Sequence, residues 1–225
     1  MAELDPSFIT KALENKAWKL GNQRLYDLCA EHPGHREDDV ILAKVWLIGR
    51  SYAAAIERRR KYLNVSNDYF YEEVVAPKLR ASDLDKWLLE LRDDTSLNRQ
   101  LSLTIHGKLC SLLKCVTGLS KRSFASKYLH FHFPNRFFIY DSRAVSALGD
   151  LRRCFHRGRW RKAINAAFDD DYAEFFAKCD DIREFLFQNR LVPIILSPRE
   201  FDKILLAWPA ADPRVAEKDS GSANA

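Results

Sequence analysis

The sequence predicts an all-α protein, and three observations carry that prediction. Apolar residues recur at three- and four-residue spacing through most of the 225 residues. Alternating strand patterns are nearly absent, Phe137 to Tyr140 being the one short β-like run. Glycine and proline, eight of each, are too few for a turn-dense sandwich or barrel. At about 11–12 residues per helix, the chain has room for roughly eight to ten of them.

Taken in order, the first strong element runs from Val40 to Arg60, where Ile41, Val45, Ile48, Tyr52 and Ile56 form one stripe of a nearly buried helix. Ser82 and Asp85 resemble a capping box ahead of Leu84, Trp87, Leu88 and Leu91. Leu101, Ile105, Leu109, Leu112 and Val116 keep the helical period until Gly118 stops it. A following helix is expected from about Lys121 to Phe131. Trp160, Ala163, Ile164, Ala167 and Phe168 mark another, and Tyr172, Phe175, Phe176, Cys179, Ile182 and Leu186 the next. The last helix has the clearest start: Ser197 as N-cap, Pro198 at N1 and Glu200 closing a capping box, with Phe201, Leu205 and Trp208 facing the core. Residues 1–211 read as a single helical domain, and 212–225, rich in Ala, Ser, Asp and Gly, as a disordered tail.

Composition excludes several classes. With 47% hydrophobic and 30% charged residues, the chain is too apolar to be disordered and too polar for a membrane protein. Five scattered cysteines without a C-x-x-C pair encode neither a disulfide framework nor a zinc site, and no metal or cofactor is expected. His32 and His35 lack partners at metal-ligand spacing and read as a turn. The N-terminus carries acids and no apolar leader, so a cytoplasmic protein is expected.

The net charge of +5 hides an asymmetry. Lys121 to Lys162 contains eleven basic residues against Asp141 and Asp150, interleaved with Phe155, His156 and Trp160, whereas Asp169 to Glu184 has seven acids and two bases. The basic block suits a phosphate backbone, with cations to displace counterions and planar groups to stack on bases. It equally suits a helix face paired with the acidic segment.

One constellation favours the first reading. In residues 113–148 a helix ends in Thr-Gly-Leu-Ser (117–120), a second helix begins, and Asp141 follows 23 residues after Gly118. Helix, tight hairpin and helix present backbone N–H groups and a positive helix end to one phosphate. Asp141 supplies a carboxylate able to stabilise positive charge on a sugar as an N-glycosidic bond breaks, and it also suits an N-cap of the helix after it. Lys121 is either a phosphate contact or an amine nucleophile.

These residues resemble the helix-hairpin-helix DNA glycosylases, which include the 8-oxoguanine and adenine enzymes. Gly118 is similar to the first hairpin glycine, Leu119 to the apolar hairpin residue, and Ile139-Tyr140-Asp141-Ser142-Arg143 to the segment that carries the catalytic aspartate. The likeness spans 36 residues. Thr117 stands where the family has proline, Ser120 where it has a second glycine, and Arg122 where bifunctional members have the Schiff-base lysine, with Lys121 beside it and Lys127 a turn onward. The four cysteines of the iron–sulfur members are absent.

The resemblance implies two helical lobes with a central cleft and a DNA partner whose damaged or modified base is flipped out and excised. It implies no obligate protein partner. By the same likeness Asp141 and Lys121 are the candidate catalytic residues; Gly118, Ser120, Arg122, Lys127 and Arg143 would contact DNA; His130, His132 and Tyr140 would line the base pocket. The stretch also resembles short bacterial proteins with an 8-oxoguanine-glycosylase-like fold, which implies a nucleoid-associated setting in repair or phage defence. Two rival readings remain: a non-catalytic nucleic-acid-binding module built on the same hairpin, and an interaction protein whose basic and acidic segments pair with each other.

Overall fold

The computed structural model describes residues 6–60, 64–155 and 167–209, and these are all-helical, with no strand among them. The elements are α1 (Pro6–Glu14), α2 (Lys19–Glu31), α3 (Asp38–Ser51), a continuous helical stretch made of α4 (Asn67–Tyr69), a π-helical turn (Phe70–Val75) and α5 (Ala76–Arg80), then α6 (Leu84–Asp93), α7 (Arg99–Thr117), α8 (Arg122–His132), α9 (Ser142–Phe155), α10 (Asp170–Gln188) and α11 (Pro198–Ala207). The expected 160–168 helix falls largely outside the described residues, as do His156, Trp160, the basic residues 157, 159, 161 and 162, and the tail.

Helix α7 runs through the core with Leu103, Ile105, Leu109, Leu113 and Val116 buried, as its periodicity predicts. Against it His106 stacks flat on Tyr172 of α10, ring centroids 3.7 Å apart. Next along α7, Gly107 lies so close to the Ala167 carbonyl that a Cβ would sit 2.2 Å from that oxygen. At the C-terminal end α11 closes on α1 through an edge-on Phe8–Trp208 contact and a Lys203 bond to the Leu13 carbonyl (2.9 Å). Its predicted capping box forms, Ser197 N–H donating to Glu200 (2.7 Å) and Glu200 N–H to Ser197 Oγ (3.2 Å).

Two expectations change. Helix α3 stops at Ser51 instead of reaching Arg60, because Ala53 takes a left-handed conformation (φ 51) and the chain folds back onto Gly49. Ile56 is still fully buried, so the stripe predicted its burial through the wrong backbone. Nor does Asp85 close a capping box with Ser82: its carboxylate takes the His35 backbone N–H (3.0 Å) and ring Nδ1 (2.5 Å) instead.

Between α8 and α9 the chain is extended, with Phe137, Phe138 and Ile139 buried. No neighbouring strand pairs with it among the described residues. Its buried polar groups need partners, and side chains of α8 and α10 provide them: His130 Nδ1 donates to the Phe137 carbonyl (2.7 Å), Tyr172 OH to Phe138 O (3.0 Å), Lys127 Nζ to Tyr140 O (3.0 Å), and Tyr140 N–H donates to Ser126 Oγ (3.0 Å).

Candidate active site

The hairpin is built as the sequence implies. Gly118 ends α7 in the left-handed region (φ 78), where a Cβ is disfavoured, and its N–H closes on the Lys114 carbonyl (2.8 Å). Thr117 braces the turn with its side chain. Its Oγ1 accepts the Leu119 N–H (3.1 Å) and lies 2.9 Å from the Leu113 and Leu119 carbonyls, one of which takes its proton. Ser120 is exposed. Helix α8 then starts at Arg122 with no side chain capping its first turn.

Asp141 stands at the start of α9, where Oδ1 accepts the Ala144 N–H (2.9 Å) and the backbone carbonyl accepts Val145 N–H (2.9 Å). It is therefore the N-cap that its position suggests. Its other oxygen, Oδ2, faces Lys127 Nζ at 3.5 Å, and the carboxylate keeps 30% of its surface exposed. Lys127 is fully buried and also donates to Ser123 Oγ (2.8 Å). Burial pulls its ammonium below the ordinary lysine range, while Asp141 works in the opposite sense.

Several predicted positions acquire other work. Lys127, expected on DNA, is committed inside the protein to Asp141 and the Tyr140 carbonyl. Lys121 does not meet Asp141 through any of its contacts; its Nζ donates to the Arg58 carbonyl (2.6 Å). Arg122 pairs with Asp169 and, at 2.8 Å, with Asp171, while its guanidinium lies 5.5 Å from the Tyr140 ring centre. Arg143 binds the Leu206 carbonyl in the last turn of α11. The basic block is thus largely occupied within the fold where it is described: Arg136 and Arg153 pair with Asp94 and Asp150.

The two histidines separate. His130 is fully buried, and since a carbonyl only accepts, Nδ1 carries the proton while Nε2 accepts from Tyr26 OH (2.7 Å). Burial pushes this imidazole down to about 4, so it stays neutral. It is a support for the extended segment and not a pocket wall. His132 lies on another face of α8, between His35 and Tyr128 (5.8 and 5.0 Å between ring centres), with burial driving it well below the usual range.

Tyr140 does border a cleft, of about 550 Å³, with Phe175, Val145, Gly149, Asp171 and Glu174 among its lining. That size and its two aromatic rings suit a planar base. Asp141, one residue on, is outside the lining.

Sequence reasoning missed Asp202. It is 2% exposed on α11, bonded to Arg199 (2.5 Å), with Oδ1 unpartnered. Burial, with Asp141 adding to it, raises its carboxyl to about 7, while Arg199 and Lys127 oppose the rise. Its only signal was a lone acid on the predicted apolar face of the last helix. Among the described residues no group of three or more potential metal ligands occurs, and no helix is long and apolar enough to cross a membrane. Compared with protein families, with curated proteins and with solved structures, the chain matches none of them.

Proposed function

We propose that the chain is a DNA N-glycosylase of the helix-hairpin-helix type, with the two-lobed arrangement over residues 1–211 and Asp141 as its working carboxylate. The observation that carries this reading is the coupling of hairpin to acid. Helix α8, which begins at the hairpin, holds the Tyr140–Asp141 backbone through Ser126 and Lys127, so a phosphate gripped at the hairpin has a fixed relation to the carboxylate. In the reaction the N-glycosidic bond breaks, its electron pair leaves with the base, which takes up a proton, and water adds at C1′ and gives up a proton. A carboxylate beside C1′ stabilises the cationic sugar and receives the water's proton. The Tyr140–Phe175 cleft is the candidate base pocket, and the setting is cytoplasmic DNA in repair or defence.

An amine for a lyase step would come from Lys127, the lysine beside Asp141, and only if DNA binding uncovers it, since it is buried in the protein alone. A second reading, a nucleic-acid-binding module without excision, is favoured by Asp141 serving as a cap and lying outside the cleft lining. Duplexes carrying a panel of modified bases decide between them. Base release by wild type and none by Asp141→Asn, with DNA binding retained, supports the glycosylase; binding without release from any duplex supports the module. Borohydride trapping of a protein–DNA adduct, lost in Lys127→Met, tests the amine.

A further inference from the structure

The turn after α3 brings a second group of cations to the hairpin from more than 50 residues away. Between Tyr52 and Arg60 two non-glycine residues, Ala53 (φ 51) and Arg59 (φ 58), occupy the left-handed region. Such a conformation is unfavourable for side chains other than glycine and persists only where the surroundings impose it. Here they do. Ala55 and Ile56 are buried, and the Ala55 backbone packs on Gly49. Glu57 is fixed by Arg50 (2.5 Å) and by Tyr71 OH (2.6 Å). Arg60 lies over the Phe70 ring (4.5 Å) and bonds Asn67 (2.7 Å).

The residues between these anchors are exposed, and both are arginines, Arg58 and Arg59. Lys121 ties them to the hairpin through the Arg58 carbonyl (2.6 Å). On its other flank exposed Lys78 binds the Cys115 carbonyl (3.3 Å), one turn before Gly118. Glu57, the acid beside Lys121, is already matched by Arg50. Unlike Arg122 and Lys127, whose charges are spent on carboxylates, Arg58, Arg59 and Lys78 are exposed beside a hairpin whose second helix starts without a side-chain cap.

We infer that the 53–60 loop and the 117–121 hairpin form one clamp for the phosphate backbone of duplex DNA, with Arg58 and Arg59 as its second jaw. The inference rests on the proposed DNA partner but not on base excision.

The test is the salt dependence of binding to an undamaged labelled duplex, followed by fluorescence anisotropy between about 50 and 200 mM salt. The variants are Arg58→Gln with Arg59→Asn, asparagine being tolerant of left-handed backbone, and Lys19→Gln with Arg24→Gln on α2, both exposed, as a charge-matched control. Two lost phosphate contacts lower the slope of log affinity against log salt by about 1.8, with the control and the circular-dichroism melt unchanged. A double variant with the wild-type slope overturns the clamp while leaving the glycosylase reading intact. Wild type without salt-dependent DNA binding overturns both. Equal displacement of the duplex by polyglutamate at matched charge, with slope unaffected by the variants, overturns the clamp in favour of an acidic protein partner.

Discussion

Lys127 Nζ lies 3.5 Å from Asp141 Oδ2, and the two residues meet because α8 and the extended segment before α9 are bonded to each other along their length. The pair separates stability from chemistry. Asp141→Asn keeps an effective N-cap, so its melting temperature should stay near wild type, while base release falls by about 10²–10⁴-fold. Asp141→Ala loses the cap as well and should cost about 1 kcal/mol in urea unfolding. Lys127→Met leaves the half-buried Tyr140 carbonyl without its donor and should cost about 1–3 kcal/mol. An Asp141→Asn protein that releases base at the wild-type rate would sink the mechanism.

Asp202 predicts a pH dependence of stability. Its folded value of about 7 lies above the roughly 3.9 of an exposed aspartate, so between these limits the folded state holds a proton that the unfolded chain has released. Stability from this group is fully present below about pH 4 and declines as pH rises toward 7, by at most about 1.4 kcal/mol per unit. Asp202→Asn should flatten that decline in melts taken from pH 4 to 8, and its advantage over wild type should grow with pH. Parallel profiles for the two proteins would show that Arg199 already compensates the buried charge.

Arg122 should behave as a structural residue. Because Asp169 and Asp171 hold it, Arg122→Gln is expected to lower stability by about 1.5–3 kcal/mol. The same change should leave the salt slope of DNA binding near wild type. A large loss of slope with unchanged stability would restore the phosphate contact that its place in the hairpin motif implies.

Gly107 should tolerate no side chain. A Cβ there would meet the Ala167 carbonyl oxygen at 2.2 Å, a backbone atom that cannot rotate away, so Gly107→Ala should destabilise by about 1–3 kcal/mol or more in chemical unfolding. Gly21, on α2 with nothing within 4 Å of its would-be Cβ, is the control. Gly21→Ala should stabilise by up to about 1 kcal/mol through helix propensity.

Local chemistry was readable wherever the partner was close in the chain. Ser197 and Glu200 satisfy each other within four residues, and Gly118 ends α7 through its own backbone, so both were legible as residue types at a fixed spacing. Asp85 was misread because its partner, His35, lies 50 positions away and outcompetes the local backbone. The same limit hid Tyr26 beneath His130, Asp202 near Lys127, and Arg58 against Lys121. Charge counting left both readings of the basic block open for a physical reason. A basic stretch looks alike in sequence whether its cations face solvent or neutralise buried and neighbouring acids, and Arg122, Lys127 and Arg136 do the latter.

The π-helical turn at Phe70–Val75 has a consequence for how this protein tolerates insertions and deletions. Its wider winding lets two consecutive residues, Phe70 and Tyr71, both face inward, one over Arg60 and the other onto Glu57. An α-helical turn there would be one residue shorter and would rotate everything on one side by about 100° relative to the other. Deleting a single residue from this turn would keep a helix but swing one of the two rings away, releasing one foot of the arginine-bearing loop. The length of this turn, and not only its residue types, thus sets whether the arginine-bearing loop stays anchored.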